Sequence, residues 1–331
     1  MKLRIGVLGT GHLGKIHLKC ILLASDDYEL VGFYDPDPKA AELVAGEFGL
    51  TAFHSAEALM DAVDVVDIVT PTTTHYALAQ EAIHRGKHVF IEKPLTRSLE
   101  EAQALLALSK SSAQQIQVGH VERFNPALLA MEDTTMNPMF VEAHRLAVFN
   151  PRGTDVSVVL DLMIHDLDIV LSLIKSPVSE VRASGVAVVS PTVDIANARL
   201  EFENGAVANL TASRISLKQM RKVRLFQRDA YISLDLLEKE AQVVRLFEPG
   251  ADLPGGGQNL ELQTPQGAKT IHLDMPAIEP INAIKMELET FAASIRKGER
   301  PRVSIEDGYR ALEVAERIMQ TIAAQTTANL Q

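Results

Sequence analysis

The sequence lacks cysteine apart from Cys20, lacks an excess of positive charge, and lacks any long uninterrupted apolar run. One thiol excludes an internal disulfide framework and a cysteine-rich zinc centre. A net charge of −11 argues against general nucleic-acid binding, because neutralising phosphate needs a basic surface. No apolar stretch is long enough to span a bilayer. The run after Lys2-Leu3-Arg4 is too short for a signal peptide and leads straight into glycines. The expected location is therefore the cytoplasm, with no membrane and no nucleic-acid partner. No metal site is expected either: Asp166 and Asp168 stand close together, but no second histidine has ligand spacing to them.

What is present is a chain of 331 residues, 47% hydrophobic, enough for two domains with sizeable cores. The first 120 residues alternate strand-like and helix-like segments. Strands are predicted over Leu3–Leu8, Glu29–Tyr34, Thr51–Phe53, Val65–Val69, His88–Ile91 and Gln115–Val118. Helices are predicted over Leu13–Leu23, Ala40–Phe48, Ala56–Asp61, His75–Arg85 and Ser98–Lys110. That alternation implies an α/β fold with a doubly wound parallel sheet and right-handed crossovers. After Gly119 the strands crowd together: Phe140–Phe149, Val181–Val189, Ala196–Phe202, Val207–Ala212, Val223–Phe226, Tyr231–Leu234 and Gln242–Phe247, with a hairpin signal at Asn204-Gly205. Helical spacing returns over Val158–Leu173, Pro280–Lys297 and Glu306–Ala324. The second domain is thus read as α/β with an open, mostly antiparallel sheet. Residues 1–120 form the first domain and 121–331 the second, with the C-terminal helix a candidate to pack back on the first. An open sheet must be covered, and a homodimer or homotetramer through it is expected.

The strand ending at Leu8 runs into Gly9-Thr10-Gly11-His12-Leu13-Gly14 and then a helix. This is the context in which a G-x-G-x-x-G pattern binds a dinucleotide. The first glycine permits the tight turn, the second lets backbone approach the pyrophosphate, and the third allows close helix–strand packing. Asp35, roughly 20 residues further on at the end of the next strand, suits an acid bonded to the adenine-ribose hydroxyls. Pro36-Asp37-Pro38 after it offers no arginine for a 2′-phosphate, so NAD is expected and NADP disfavoured. Ligands of open parallel sheets gather beyond the carboxyl ends of strands. Thr70, Pro71, His75, Glu92 and Lys93 should therefore border the nicotinamide half, although His75 better suits capping or starting its helix than performing chemistry.

Lys93 supplies an amine at a strand end, and Asp161 and His165 lie one helical turn apart on a predicted helix. Oxidising an alcohol sends a hydride to a nicotinamide and a proton to a base, and histidine titrates near neutral pH without perturbation. A lysine can hydrogen-bond the reacting oxygen and stabilise alkoxide charge. The fingerprint with Asp35, Glu92-Lys93-Pro94, Asp161-x-x-x-His165 and Val303-Ser-Ile-Glu-Asp-Gly308, in this order across nearly the whole chain, resemble the glucose–fructose oxidoreductase / inositol dehydrogenase (Gfo/Idh/MocA) family. The resemblance implies a Rossmann NAD(P)-binding domain, an enzyme acting on a sugar-like hydroxyl or ketone, and Lys93 and His165 as the acid/base pair with Asp161 beside them. It also implies a cis Lys93–Pro94 peptide.

The segment Val118-Gly-His120-Val-Glu-Arg123-Phe-Asn125-Pro126, with Asp161-Leu-Met-Ile-His165-Asp-Leu-Asp168, is similar to the sugar-nucleotide branch of the family, most of all to its UDP-N-acetylglucosamine 3-dehydrogenases. That resemblance makes His120, Arg123, Asn125, Arg145, Arg152 and Arg214 sugar or phosphate contacts, alongside Lys93, Asp161 and His165. Two other readings stay open. One is an NAD-dependent glycosidase working by transient 3-oxidation; the other is a non-catalytic NAD-binding regulator. The basic stretch Arg214, Lys218, Arg221, Lys222, Arg224 and Arg228 reads either as a solvated strand face or as a source of one or two phosphate contacts.

Overall fold

Residues 1–150, 156–265 and 267–328 are described by the computed structural model, and they separate into two units. The first comprises residues 1–124 and 282–313; the second comprises 125–281 and 314 onward. From the N-terminus run β1 (Leu3–Leu8), α1 (His12–Leu23), β2 (Tyr28–Tyr34), α2 (Pro38–Phe48), α3 (Ala56–Asp61), β3 (Val65–Ile68), α4 (His75–His84), β4 (His88–Glu92), α5 (Leu99–Lys110) and β5 (Ile116–Gly119). Then come α6 (Pro126–Leu129), β6 (Phe140–Leu146), a π-helical turn (Val159–Met163) that continues into α7 (Ile164–Leu173), β7 (Val178–Val186), β8 (Ile195–Phe202) and β9 (Val207–Ser213). The remainder is β10 (Met220–Phe226), β11 (Ala230–Asp235), β12 (Glu240–Phe247), β13 (Gln258–Thr264), β14 (Gly267–Asp274), α8 (Ala283–Lys297) and α9 (Ile305–Ala328).

In the first unit a parallel sheet has the order β2-β1-β3-β4-β5. Its central strands, VVDI in β3 and HVFIE in β4, are buried almost throughout. Parallel strands covered on both faces read as apolar runs, not as alternations. Side chains fix several helix starts: Asp37 caps α2, Ser55 α3, Ser98 α5 and Asn282 α8. The short strand expected over Thr51–Phe53 reduces to a single bridge from Phe33 to Ala52.

A division at residue 120 assigns α8 to the second domain, and the structure corrects this. Leu288, Phe291 and Ala292 of α8 lie in one core cluster with Leu18, Ile21, Phe33 and Phe90. Phe291 meets Phe90 edge to face at 6.1 Å, and Tyr28 Oη donates to the Leu288 carbonyl at 2.8 Å. The amphipathic helix buries its apolar stripe in the core of the first unit; each large side chain so buried is worth roughly 1.5–3 kcal/mol.

In the second unit nine strands form a sheet in the order β13-β14-β12-β11-β10-β6-β9-β8-β7. All pairings are antiparallel except β6 with β9. Burial alternates residue by residue in β6, β8, β9 and β11, as expected where one face of a sheet is packed and the other is not. α7 packs on β6 and β9. The opposite face carries His144, Arg199, Thr211, Lys222 and Arg224, all half-buried, and the exposed Asn197. Lys222 pairs with Asp235 and Arg224 with Glu142, so those members of the basic stretch belong to a charge-balanced strand face. The hairpin β13–β14 escaped the sequence reading because nearly every residue of β13 is exposed, leaving no periodicity to detect.

Candidate active site

The first unit builds its loop at the carboxyl ends of β1 and β3, on either side of the point where strand order reverses, which is where open α/β sheets bind ligands. Gly9 has φ +89, and a Cβ there would lie 2.9 Å from the Val69 carbonyl oxygen. A Cβ on Gly14 would come within 2.1 Å of the Gly9 carbonyl oxygen. Only glycine lets α1 start this close to β1. Gly11, by contrast, faces open space. It is the N-cap of α1, with no side-chain cap bond and no acid in the first turn. His12 and Leu13 beside it are exposed. Backbone donors are thus presented with no competing side chain and no repelling charge, which suits a pyrophosphate. Asp35 tightens the loop. Its Oδ2 accepts from the Thr10 N–H and hydroxyl, both at 2.8 Å, and its Oδ1 accepts from the Asp37 N–H. The carboxylate remains partly exposed at the end of β2, where a ribose diol would meet it.

Thr70 and Pro71 follow β3 and are accessible. His75 has another task. It is 1% exposed, and its ring nitrogens contact the Pro94 and Thr70 carbonyl oxygens at 3.0 and 2.9 Å. It ties the loop after β3 to the loop after β4 and buttresses both. Lys93, partly exposed, follows β4, and the Lys93–Pro94 peptide is cis. Glu92, expected at the cofactor, turns inward instead: it is 7% exposed, with Oε1 3.1 Å from His17 Nε2 and Oε2 accepting the Lys93 N–H. His17 Nδ1 in turn lies 2.9 Å from Asp67 Oδ2. His17 and Asp67 escaped the sequence reading. Their signal was a histidine three residues past Gly14 and a lone acid inside the apolar strand VVDI.

In the second unit Asp161 and His165 are partly exposed. They straddle the junction of the π turn and α7, where a regular helix was expected; such turns recur at functional sites. Arg145 and Arg214, expected at a phosphate, serve the fold. Arg145 donates from Nε and Nη2 to both oxygens of Asp166, at 3.0 and 2.8 Å, with both residues buried. Arg214 is buried against Asp194 and donates to the Val156 and Val193 carbonyls. Asn125 also acts structurally: its Oδ1 accepts the Ala127 N–H to cap α6, while its Nδ2 donates to the Leu236 carbonyl. Arg123, in the first unit, donates to the Arg302 carbonyl, and His120 is fully buried. Arg152 lies outside the described residues. Among the described residues no cluster of three His, Cys, Asp or Glu is placed to hold a metal, and no helix is long and apolar enough to cross a membrane.

Residues 3–120 match the model of an oxidoreductase family with an NAD-binding Rossmann fold, and residues 139–231 match the Gfo/Idh/MocA C-terminal domain. The chain belongs to the Gfo/Idh/MocA oxidoreductase family. Among its relatives is the UDP-N-acetylglucosamine 3-dehydrogenase of Acidithiobacillus ferrooxidans, 37% identical over 88% of this chain and 92% of that one. A solved structure of that enzyme superposes with a TM-score of 0.87 over 98% of this chain and 99% of the other, at 34% identity. The scyllo-inositol 2-dehydrogenase (NAD(+)) of Bacillus subtilis is 33% identical over 65% of this chain and 68% of its own. As a Gfo/Idh/MocA oxidoreductase the chain is an enzyme, which removes the reading of a non-catalytic regulator.

Proposed function

We propose that this oxidoreductase is an NAD-dependent dehydrogenase of a sugar nucleotide, oxidising the 3-hydroxyl of UDP-N-acetylglucosamine. The observation that carries this reading is the similarity to the Acidithiobacillus enzyme along almost the whole of both chains. Gly9, Gly11 and Gly14 hold the cofactor's pyrophosphate at the start of α1, and Asp35 holds the adenine ribose. Asp35 with Asp37 beside it repels a 2′-phosphate, which favours NAD over NADP. When bound, NAD supplies the hydride acceptor. Lys93 hydrogen-bonds the reacting oxygen and stabilises its negative charge. His165 takes the hydroxyl proton. Asp161, one turn earlier, orients the imidazole or the sugar.

Replacement of Lys93 by Met or His165 by Gln is expected to lower kcat/KM roughly 100- to 10,000-fold. NAD affinity, measured by calorimetry, should stay within a few-fold of wild type. Full turnover in either variant would refute the assignment.

A further inference from the structure

A histidine held between two carboxylates, entirely out of water, has no part in the chemistry above. His17 and Asp67 are 0% exposed and Glu92 7%. His17 comes from α1, the helix that begins at the cofactor loop; Asp67 comes from β3; Glu92 ends β4 and precedes Lys93. The contacts run in series: Asp67 Oδ2 to His17 Nδ1 at 2.9 Å, His17 Nε2 to Glu92 Oε1 at 3.1 Å, and the Lys93 N–H to Glu92 Oε2 at 3.1 Å. Both ring nitrogens face carboxylate oxygens, so a protonated imidazole would donate one N–H to each. β5 leaves room for it: a Cβ on Gly119 would press on the Glu92 carboxylate at 2.8 Å.

We propose that Asp67, His17 and Glu92 form a buried charged clamp that positions Lys93 and ties it to the helix behind the cofactor loop. This rests on the reading of Lys93 as a catalytic group. A neutral packing role does not account for the pattern. An apolar trio would fill the space without desolvating charge, and a single polar pair would not link α1, β3 and β4. Glu92 is the pivot, because one oxygen serves His17 and the other the Lys93 main chain.

Burial raises the Asp67 carboxyl above its usual range, against the pull of the His17 charge. Burial opposes the His17 charge, but the Asp67 carboxylate and then Glu92 outweigh it and hold the imidazole well above its ordinary range. Phe90 of β4 meets the ring edge to face. Cys20, on the same helix, and Tyr28, on β2, are both pushed up by burial and carry no charge at neutral pH. Lys285 of α8 is taken up by Glu289.

The test has two readouts that need no substrate. In full-length protein, long-range 15N–1H spectra assign His17 by its loss in His17→Gln. The clamp predicts protons on both ring nitrogens from pH 6 to 8; one bare nitrogen at pH 7 overturns it. In reductively 13C-methylated protein, the Lys93 resonance is assigned by its loss in Lys93→Arg. Glu92→Gln, which cannot accept from both partners, and Gly119→Ala, which displaces the carboxylate without removing a charge, should each shift that titration midpoint by half a pH unit or more. A midpoint equal to wild type in both folded variants contradicts positioning. With UDP-N-acetylglucosamine the same variants should lose at least tenfold in kcat with NAD affinity within threefold. A wild type inactive on that substrate would count against the substrate reading alone, and both resonance readouts would still decide the clamp.

Discussion

Arg145 sits in β6 with its guanidinium against Asp166 of α7, and both are nearly sealed from water at 3% and 2% exposure. Taken as a phosphate contact, Arg145 predicts that its loss raises KM. Taken as half of a buried ion pair, it predicts a folding defect, because the remaining carboxylate is left uncompensated. The second expectation follows from the geometry: Arg145→Ala should cost about 3–5 kcal/mol of stability. Denaturant melts should show this, while the KM for substrate in protein that remains folded should move little. Arg214 with Asp194, and Asn125 at the start of α6, repeat the lesson. A sequence shows that a residue can bind an anion, but not whether the fold has already supplied one. His17 is the reverse case, a histidine on an apolar helix face whose two partners come from strands distant in sequence.

At the scale of elements, the turn between β7 and β8 is pinned by one carboxylate. Asp194 Oδ2 accepts the N–H groups of Val188, Val189 and Ser190, and Oδ1 accepts the Ser190 hydroxyl. Burial would raise its pKa, but these donors outweigh burial and hold it well below the usual carboxylate range. A carboxylate depressed in the folded state adds stability that is present above its ordinary pKa, near 4, and is lost as pH falls through the folded value. Asp194→Asn should therefore melt several degrees below wild type at pH 7, and the gap should narrow on acidification below pH 4. A gap independent of pH would contradict this. Elements of this kind were only partly legible. The parallel strands and their helices were readable because apolar runs, caps and glycines mark them locally. The π turn at Val159–Met163 was not, since its apolar spacing imitates a regular helix. β13 was hidden because an exposed strand needs no apolar pattern. Lys93, His165 and the glycine loop stood out as motifs, whereas the clamp beneath Lys93 arises from long-range contacts that spacing cannot reveal.

At the scale of the whole molecule, the largely half-buried face of the nine-stranded sheet, with Phe226 against both Phe140 and Tyr231 at one end, needs a cover. We propose a second copy of the chain, giving a homodimer or homotetramer. Light scattering at micromolar concentration should return a multiple of 36.1 kDa; the mass of one chain would contradict it. One experiment meets the proposed chemistry directly. The protein is mixed with UDP-N-acetylglucosamine and NAD, and in parallel with NADP, and absorbance of reduced cofactor is followed while products are resolved by mass. NADH should accumulate in step with a 3-oxo sugar nucleotide two hydrogens lighter than the substrate, with NADP a poor substitute. Release of free sugar with no net NADH would contradict it.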